Sequence, residues 1–428
     1  MTQLLEGMRA YLCLLALGVI AASGLTSAQG PLFQAAERGS PEDVRAVLQA
    51  GANVNARNEF GETALMWAAG YNRNPDVVRE LIEAGANVNA LDHDRWTALI
   101  WAAAANWNHN VILELLEGGA NVHIREAEAW TALFYASAQN QNAETVRALL
   151  EAGANVNARG MRGETALMVA AMNNLNPEVV RTLLAEGADV NHRSDEDWTP
   201  LMFAAGANKN PQVAEALIEG GASVNAANEF GATALMLASG NAPGPRIVRS
   251  LVAAGASIDA RDLEGWTPLM WAAKRTQNPE VVRALLDEGA DATLLNDWGQ
   301  RAIDIAHGND HLRGTDAYWL LEAATHQPSA LPGNDSVTLR NGDVLSGTIM
   351  TEEFTVQASY GTLTFTSEQL ASISIEDPVG RADQFVLKVG DRVSGVLQNT
   401  TVEMTLTTGA TITLEKGNIA SITFATED

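Results

Sequence analysis

The sequence predicts an α-solenoid of about nine helical units of 34 residues, followed by a small all-β domain. Three observations support this fold class. Threonine and Gly-Ala recur in one register at a constant period, from Thr63 to Thr267. Each period contains two short stretches with the apolar spacing of helices, separated by turn residues. After residue 336 this spacing gives way to β-branched residues that alternate with polar ones, as is typical of strands.

Residues 1–28 have the pattern of a secretory signal peptide. Arg9 precedes an apolar run over 10–22, and Thr26-Ser27-Ala28 supplies the small residues of a cleavage site. The run is shorter than the roughly 20 residues that cross a bilayer. We therefore expect cleavage after Ala28, export to a bacterial periplasm or the medium, and no stable membrane span in the mature protein.

Two further residues near the start bear on this interpretation. Translation from Met8 would place Arg9 directly before the apolar run, so Met1 and Met8 are both candidate starts. The one cysteine, Cys13, lies inside the predicted signal. The mature protein is then expected to have no disulfide and no cysteine ligand.

Residues 31–324 are predicted to form the repeat array, in which each unit is a helix, a turn, a second helix and an extended finger. Thr63 is a typical N-cap of the first helix. Asn74-Pro75 begins the second helix, since Asn caps well and Pro is tolerated in the first turn. Gly85 is expected to end that helix. The threonine recurs at Thr97, Thr131, Thr165, Thr199, Thr233 and Thr267.

These units resemble the ankyrin repeat. The signatures T-P-L-H-x-A-A and G-A-D-V-N-A of that family correspond to Thr-Ala-Leu-Met-Trp-Ala-Ala (63–69) and Gly-Ala-Asn-Val-Asn-Ala (85–90). The resemblance implies a stack of helix pairs that binds protein partners through its fingers and concave face.

Two departures from the family pattern recur. The histidine of the signature is replaced by residues that we interpret as core, namely Met66, Ile100, Phe134, Met168, Met202, Met236 and Met270. An Asn-x-Asn sequence also recurs between the helices, at positions 72/74, 106/108, 140/142, 174/176 and 208/210. Asparagine caps helices and tolerates turn conformations, so this recurrence is interpreted as turn chemistry.

Residues 325–336 are predicted to be a linker, and 337–428 a duplicated β-module with units 337–376 and 385–425. The duplication rests on the similarity of 337–347 to 385–395. Asn341-Gly342 is a typical hairpin turn. We expect closure into a small barrel or sandwich. The phrase Asn-Gly-Asp-Val-Leu-Ser-Gly (341–347) resembles short β-modules of bacterial envelope proteins.

The charge balance bears on the partner. The chain has 27 Lys and Arg against 52 Asp and Glu, a formal net charge of −25. This field repels phosphate backbones and anionic lipids. Nucleic acid is therefore excluded as the expected partner, and a basic protein is favoured.

A column of tryptophans at the base of the fingers is the first candidate binding feature. It holds Trp96, Trp130, Trp198 and Trp266, with Glu62 and Glu164 at the same position in other units. Tryptophan is enriched in binding hot spots, so the column is a candidate strip for a partner. The alternative is that these rings pack one finger against the next.

Acidic finger residues are the second candidate. They are Asp92, Asp94, Glu126, Glu128, Asp195, Glu196, Asp197, Asp262 and Glu264. Such residues form either a recognition edge for a basic partner or an ordinary solvated surface.

No sequence motif indicates an active site. The seven histidines are scattered, and no nucleotide-binding, zinc-protease or nucleophile-elbow motif is present. We predict no catalysis, no cofactor and no metal site. The expected function is a protein-binding scaffold outside the cytoplasm. The alternative is an envelope structural protein, in which the β-module anchors or self-associates and the array is a spacer.

Overall fold

The computed structural model describes residues 30–325 and the backbone of the strands between residues 335 and 423. The predicted signal peptide (1–28) and most of the predicted linker (325–336) lie outside the described residues. The elements divide into two compact units, one with helices α1–α16 and the other with α17, α18 and the strands. No helix in the described part of the chain is both long and apolar enough to cross a bilayer.

Residues 30–325 form eighteen helices in nine consecutive pairs, so the predicted helical solenoid is confirmed. The helices are α1 (Pro31–Arg38), α2 (Pro41–Gln49), α3 (Ala64–Tyr71), α4 (Pro75–Glu83), α5 (Ala98–Ala105), α6 (His109–Glu117), α7 (Ala132–Gln139), α8 (Ala143–Glu151), α9 (Ala166–Asn173), α10 (Pro177–Ala185), α11 (Pro200–Ala207), α12 (Pro211–Glu219), α13 (Ala234–Asn241), α14 (Arg246–Ala253), α15 (Pro268–Arg275), α16 (Glu280–Asp287), α17 (Ala302–Ala306) and α18 (Asp316–Thr325).

The first helix of each pair, here called the inner helix, begins where the sequence predicts. The Thr63 hydroxyl accepts the amide N–H of Met66 at 3.4 Å, which satisfies one of the free donors at the start of α3. The same cap begins five other inner helices, after Thr97, Thr165, Thr199, Thr233 and Thr267. Residues 64–70 are all buried because α3 packs between α1 and α5. A helix that is apolar all round needs such neighbours.

The residues that replace the family's histidine are buried, as predicted. All seven side chains are exposed by 1% or less. In two repeats the methionine sulfur also accepts a hydrogen bond from the N-cap amide, at 3.3 Å from Thr63 and 3.4 Å from Thr233. The thioether is a weak acceptor and an apolar filler, so it serves the cap and the core together.

The second helix of each pair, here called the outer helix, is amphipathic. In α4 the Asn74 side chain accepts the amide N–H of Asp76 at 3.1 Å, and Val77, Val78 and Leu81 are buried. The chain then turns at a glycine with positive φ, which is +87° at Gly85. An added Cβ there would meet no atom within 4 Å, so the left-handed backbone alone selects glycine.

The first Asn of the Asn-x-Asn sequences forms a ladder through the array. The Asn174 Nδ2 donates to the carbonyl oxygens of Ser137 and Asn140, both at 2.9 Å, while its Oδ1 accepts the amide N–H of Asn176 at 2.9 Å. Equivalent bonds to the preceding repeat are made by Asn72, Asn106, Asn140, Asn208 and Asn309. All six are buried. The predicted turn chemistry is therefore confirmed, and the same side chain also joins neighbouring repeats.

The strands of the second unit form one ten-stranded antiparallel sheet. Their order is β4-β3-β7-β6-β5-β10-β1-β2-β8-β9. The bounds are β1 (Asp335–Leu339), β2 (Val344–Ile349), β3 (Glu353–Ala358), β4 (Gly361–Thr366), β5 (Leu370–Ser374), β6 (Asp383–Leu387), β7 (Arg392–Leu397), β8 (Thr401–Leu406), β9 (Thr411–Glu415) and β10 (Ile419–Thr423).

The strand order has an internal symmetry. It is unchanged when read backwards with β1–β5 and β6–β10 exchanged. Strand β3 pairs with β7, and β8 pairs with β2, so each end of the sheet contains strands from both halves. This exchange was not part of the sequence prediction. The unit boundaries and the closure into a barrel or sandwich stay predictions.

Candidate protein-binding surface

Three of the four predicted tryptophans are buried at the base of the fingers. Trp96, Trp130 and Trp198 are exposed by only 5%, 4% and 0%, and Trp266 is half-buried. The Trp96 ring lies 5.4 Å from that of Trp101 and 4.7 Å from that of Tyr135, between the inner helices of its own and the next repeat. The predicted aromatic strip is therefore wrong for these three residues. Packing removes their large apolar rings from water.

Four of the predicted acidic residues are also buried. Glu62, Asp92, Glu126 and Glu164 are exposed by 7%, 8%, 5% and 5%. The Asp92 Oδ1 accepts the amide N–H groups of Asp94 at 3.0 Å and Trp96 at 2.7 Å, and its Oδ2 accepts the Trp101 Nε1–H at 3.0 Å. Asp92, Glu126 and Glu164 accept backbone amides of the finger turns, and Glu62 accepts the side-chain N–H groups of Asn58 and Trp67. We therefore correct the assignment of all four as direct contacts for a partner.

Burial affects the protonation of two of these groups. It raises the pKa of Asp92, although hydrogen bonds from Trp101 and Trp96 act in the opposite direction. It likewise raises the pKa of Glu126, opposed by the amides of Glu128 and Trp130. A buried carboxylate carries a desolvation cost that its hydrogen bonds offset.

The residue that closes each finger turn varies in type but not in role. Its side-chain oxygen accepts the amide N–H two residues later, four residues later, or both, in Asn58, Asp92, Glu126, Ser194, Asn228, Asp262 and Asn296. Gly160 stands at this position in one repeat. There the Glu164 carboxylate accepts the Arg162 amide N–H at 2.8 Å and occupies the space that a Cβ on Gly160 would need.

Two of the buried acids, and the half-buried Asp262, accept hydrogen bonds from tryptophans of the inner helices. Trp67, Trp101 and Trp271 donate their Nε1–H to Glu62, Asp92 and Asp262, at 2.9, 3.0 and 2.9 Å. Where Phe203 replaces this tryptophan, the finger holds Ser194 and no matching acid. Burying an indole N–H without an acceptor costs free energy, and for these three tryptophans the finger supplies the acceptor.

The match to family models agrees with this architecture. The family model "Ankyrin repeats (3 copies)" matches residues 32–126, 103–194 and 167–262, and "Ankyrin repeats (many copies)" matches 251–306. This chain belongs to the ankyrin repeat family. Among solved structures it is similar to "Crystal structure of human ASB11 ankyrin repeat domain", with 26% identity, 54% of this chain and 99% of that chain covered, and a TM-score of 0.48. A comparison with curated proteins found no match.

The acidic residues that remain accessible lie at the fingertips of the ankyrin array. Asp94, Asp195 and Asp197 are exposed, and Glu128 and Glu196 are half-exposed. Two of them are partly neutralised, Asp195 by Arg159 at 3.2 Å and Asp197 by Arg193 at 3.4 Å. Together with the exposed Glu264, these five residues are the most accessible part of the predicted acidic edge.

The sequence analysis missed the exposed apolar residues of the ankyrin fingers. The largest exposures at fingertips are Phe60 (45%), Met161 (64%), Phe230 (49%), Leu263 (73%) and Trp298 (60%). All five lie one or two residues after the residue that closes the turn. Aligning the fingers in the register of the repeat would have found them. Trp107 (75%) and Leu175 (50%) are exposed elsewhere, in loops between inner and outer helices.

Backbone hydrogen bonds join neighbouring fingertips. The His93 amide N–H donates to the Phe60 carbonyl at 3.0 Å, and the Leu263 amide N–H donates to the Phe230 carbonyl at 3.1 Å. Glycine with positive φ supports this approach, because a Cβ on Gly231 would lie 2.8 Å from the Leu263 nitrogen. Ala129 stands at the equivalent position with a φ of 64°.

Proposed function

We propose that the ankyrin array binds a protein partner outside the cytoplasm through its fingertips. Ankyrin repeats indicate a protein-interaction scaffold, and the family is generally non-catalytic. The observation that carries the proposal is the exposure of acidic and apolar side chains at the fingertips, while side chains at the finger base such as Asp92 and Trp96 are buried.

The proposed partner is a basic protein. The formal net charge of −25 attracts cations and repels anionic surfaces. Asp94, Asp195 and Asp197 are exposed finger acids that a basic side chain can reach without displacing a buried group. Their contribution is expected to lie in the association rate and in specificity.

Export rests on the sequence of residues 1–28 and is part of the proposal. The mature protein is expected to begin near Gln29 in the periplasmic or secreted fraction. N-terminal sequencing of the protein from its own cells tests this, and retention of residues 10–25 would contradict it.

Affinity capture from the cell envelope tests the binding site. The mature protein is compared with a variant in which Asp94, Asp195 and Asp197 are changed to Asn, which removes charge but keeps side-chain size. We expect capture of the specific partner to fall at least tenfold at low salt, because three attractive charges are lost.

The matched control removes the same number of charges away from the fingers. Glu151→Gln, Glu186→Gln and Glu288→Gln lie on exposed ends of outer helices. If this control reduces capture as much as the finger variant, net charge rather than the fingertips determines binding.

The alternative function, that of an envelope structural protein, leads to a different expected result. Removing residues 333–428 would release an anchored protein from the envelope fraction and leave the array intact. If the truncated protein keeps both its location and its partner, the β-module is not the anchor.

A further inference from the structure

The three C-terminal fingers that the structure describes carry exposed apolar residues on consecutive tips. We call Phe230, Leu263 and Trp298 the C-terminal finger patch. Their exposures are 49%, 73% and 60%. Large exposed apolar side chains that cluster in this way mark interaction surfaces.

Hydrogen bonds hold the three tips side by side. The Leu263 amide N–H donates to the Phe230 carbonyl at 3.1 Å, and the Asp297 amide N–H donates to the Glu264 carbonyl at 3.2 Å. Each turn is also closed from within, by Asn228, Asp262 and Asn296. The backbone of the patch is therefore preorganised, which lowers the conformational entropy lost on binding.

Trp298 packs edge-to-face against a neighbouring tryptophan. Its ring lies 6.2 Å from that of Trp266, with an interplanar angle of 81°. The half-buried Trp266 thus supports an exposed indole. The free face of such an indole attracts a lysine or arginine side chain.

Acidic residues surround the patch. Glu229, Glu264 and Asp297 are exposed next to Phe230, Leu263 and Trp298. Asp297 forms an ion pair with Arg261, with 3.4 Å between the Asp297 Oδ1 and the Arg261 Nη2. Glu229 and Glu264 have no ion pair among the described residues, so their charges are open to a ligand.

We infer that the C-terminal finger patch binds an extended, basic segment of a partner protein, which places apolar side chains on the three tips and cations on the acids between them. This inference rests on the proposed protein-binding function and specifies its site. A second copy of this chain fits poorly, because its own charge of −25 would be repelled. Anionic lipids and nucleic acids are disfavoured for the same reason.

The repeat spacing specifies the arrangement of anchors in that segment. Neighbouring helices pack about 8–10 Å apart. An extended chain advances about 3.3 Å per residue. Apolar anchors three residues apart, with Lys or Arg between them, therefore match three consecutive fingertips.

The test uses the mature full-length protein and a fluorescent nine-residue peptide with Leu or Phe at every third position and Lys at the others. We expect saturable binding by fluorescence anisotropy. Changing Phe230, Leu263 and Trp298 together to Ser is expected to weaken binding at least tenfold. Glu229→Gln with Glu264→Gln is expected to weaken it severalfold at low salt and much less at 0.5 M salt, since screening removes the charge effect.

Two controls test the location. Phe60 is 45% exposed at the equivalent finger position five repeats earlier, and Trp107 is 75% exposed in a loop between helices. Phe60→Ser and Trp107→Ser are expected to change affinity by less than twofold. The same peptide with Glu in place of Lys is expected not to bind.

Four results would overturn the inference: absence of saturable binding, equal binding of the Glu peptide, a triple Ser variant within twofold of the parent, or an equal loss on Phe60→Ser. Circular dichroism of each variant verifies folding. The outcome is separable from that of the proposed function. If native capture depends on Asp94, Asp195 and Asp197 but not on the patch, only the present inference fails. If capture survives both sets of changes, the proposed function fails as well.

Discussion

Asp92 and Trp101 illustrate how single residues set the chemistry of a finger. The carboxylate accepts two backbone amides and one indole N–H, all within a buried site. Asn58 closes the equivalent turn in the preceding repeat, but there the indole of Trp67 bonds to Glu62 instead. A repeat with this tryptophan therefore needs a carboxylate, either in the turn or at the finger base.

Asp92→Asn tests this requirement. The amide can still close the turn but leaves the Trp101 N–H without its acceptor, which is expected to cost about 1–3 kcal/mol of unfolding free energy. Adding Trp101→Phe to Asp92→Asn removes the orphaned donor, so the coupling energy should be favourable. Urea unfolding at pH 7 of the two single variants and the double variant measures it, with the exposed Asp94→Asn as control. A purely additive result would show that the indole bond is not coupled to the carboxylate.

The raised pKa values of Asp92 and Glu126 predict a pH dependence of stability. A carboxyl group whose pKa is higher in the folded than in the unfolded state contributes stability below its unfolded pKa of about 4. That contribution is lost as pH rises through the folded pKa. The variant Asp92→Asn with Glu126→Gln should therefore lose less unfolding free energy than the parent between pH 4 and neutrality. Parallel curves for the two proteins would contradict the prediction.

Ala129 holds a backbone conformation that glycine occupies in five other repeats. A left-handed backbone costs an L-residue about 1–2 kcal/mol, and glycine avoids this cost. Glycine also raises the conformational entropy of the unfolded state, which offsets part of the gain. Ala129→Gly should raise the unfolding free energy by about 0.5–1 kcal/mol. Gly231→Ala should lower it by more, since the new Cβ would also crowd the Leu263 nitrogen. Thermal unfolding of both proteins checks the opposite signs.

At the scale of the elements, the asparagine ladder joins each helix pair to the one before it. Asn174 is fully buried and makes three hydrogen bonds in the loop between α9 and α10. Its replacement by Ala leaves two buried carbonyls and one amide without these partners, and should cost about 2–4 kcal/mol. Gln141 lies exposed in a neighbouring loop, so Gln141→Ala should change stability by less than about 0.5 kcal/mol. Similar costs for the two changes would show that the ladder contributes little.

The whole array depends on contacts between neighbours. In each repeat from Asn72 to Asn208, the buried asparagine side chain donates a hydrogen bond to a backbone carbonyl of the preceding repeat. Each repeat therefore presents nearly the same surface to the next. The central core is continuous, as the fully buried Leu167 illustrates.

Deletion of one whole repeat, from position 164 to position 197, should therefore preserve a cooperative fold with a lower urea midpoint. Deletion of half a repeat, from position 164 to position 180, should abolish cooperative unfolding, because it joins two surfaces that do not match. Far-ultraviolet circular dichroism during urea titration measures both. Equal behaviour of the two deletions would contradict the modular arrangement.

The sequence by itself determined the repeat, its register and the helix boundaries. Thr63, Asn74-Pro75 and Gly85 act through local backbone chemistry, which depends on neighbours within a few residues. The burial of Met66 and of the equivalent residue in each later repeat, up to Met270, also follows from the period, because equivalent residues share one environment. The alternation of apolar and polar residues after residue 336 predicts strands. It does not predict that strands of β1–β5 pair with strands of β6–β10, since the pairing of distant strands has no local signal.

Only the tertiary structure decided which finger residues are accessible. Trp96 and Trp298 have the same side chain, yet one is enclosed by Trp101 and Tyr135 while the other is 60% exposed. Likewise Asp92 is buried and Asp94 is exposed, although they are close neighbours in the chain. The reason is that burial in a stacked array is set by the neighbouring repeat, whose atoms are a full repeat away along the chain and adjacent in space.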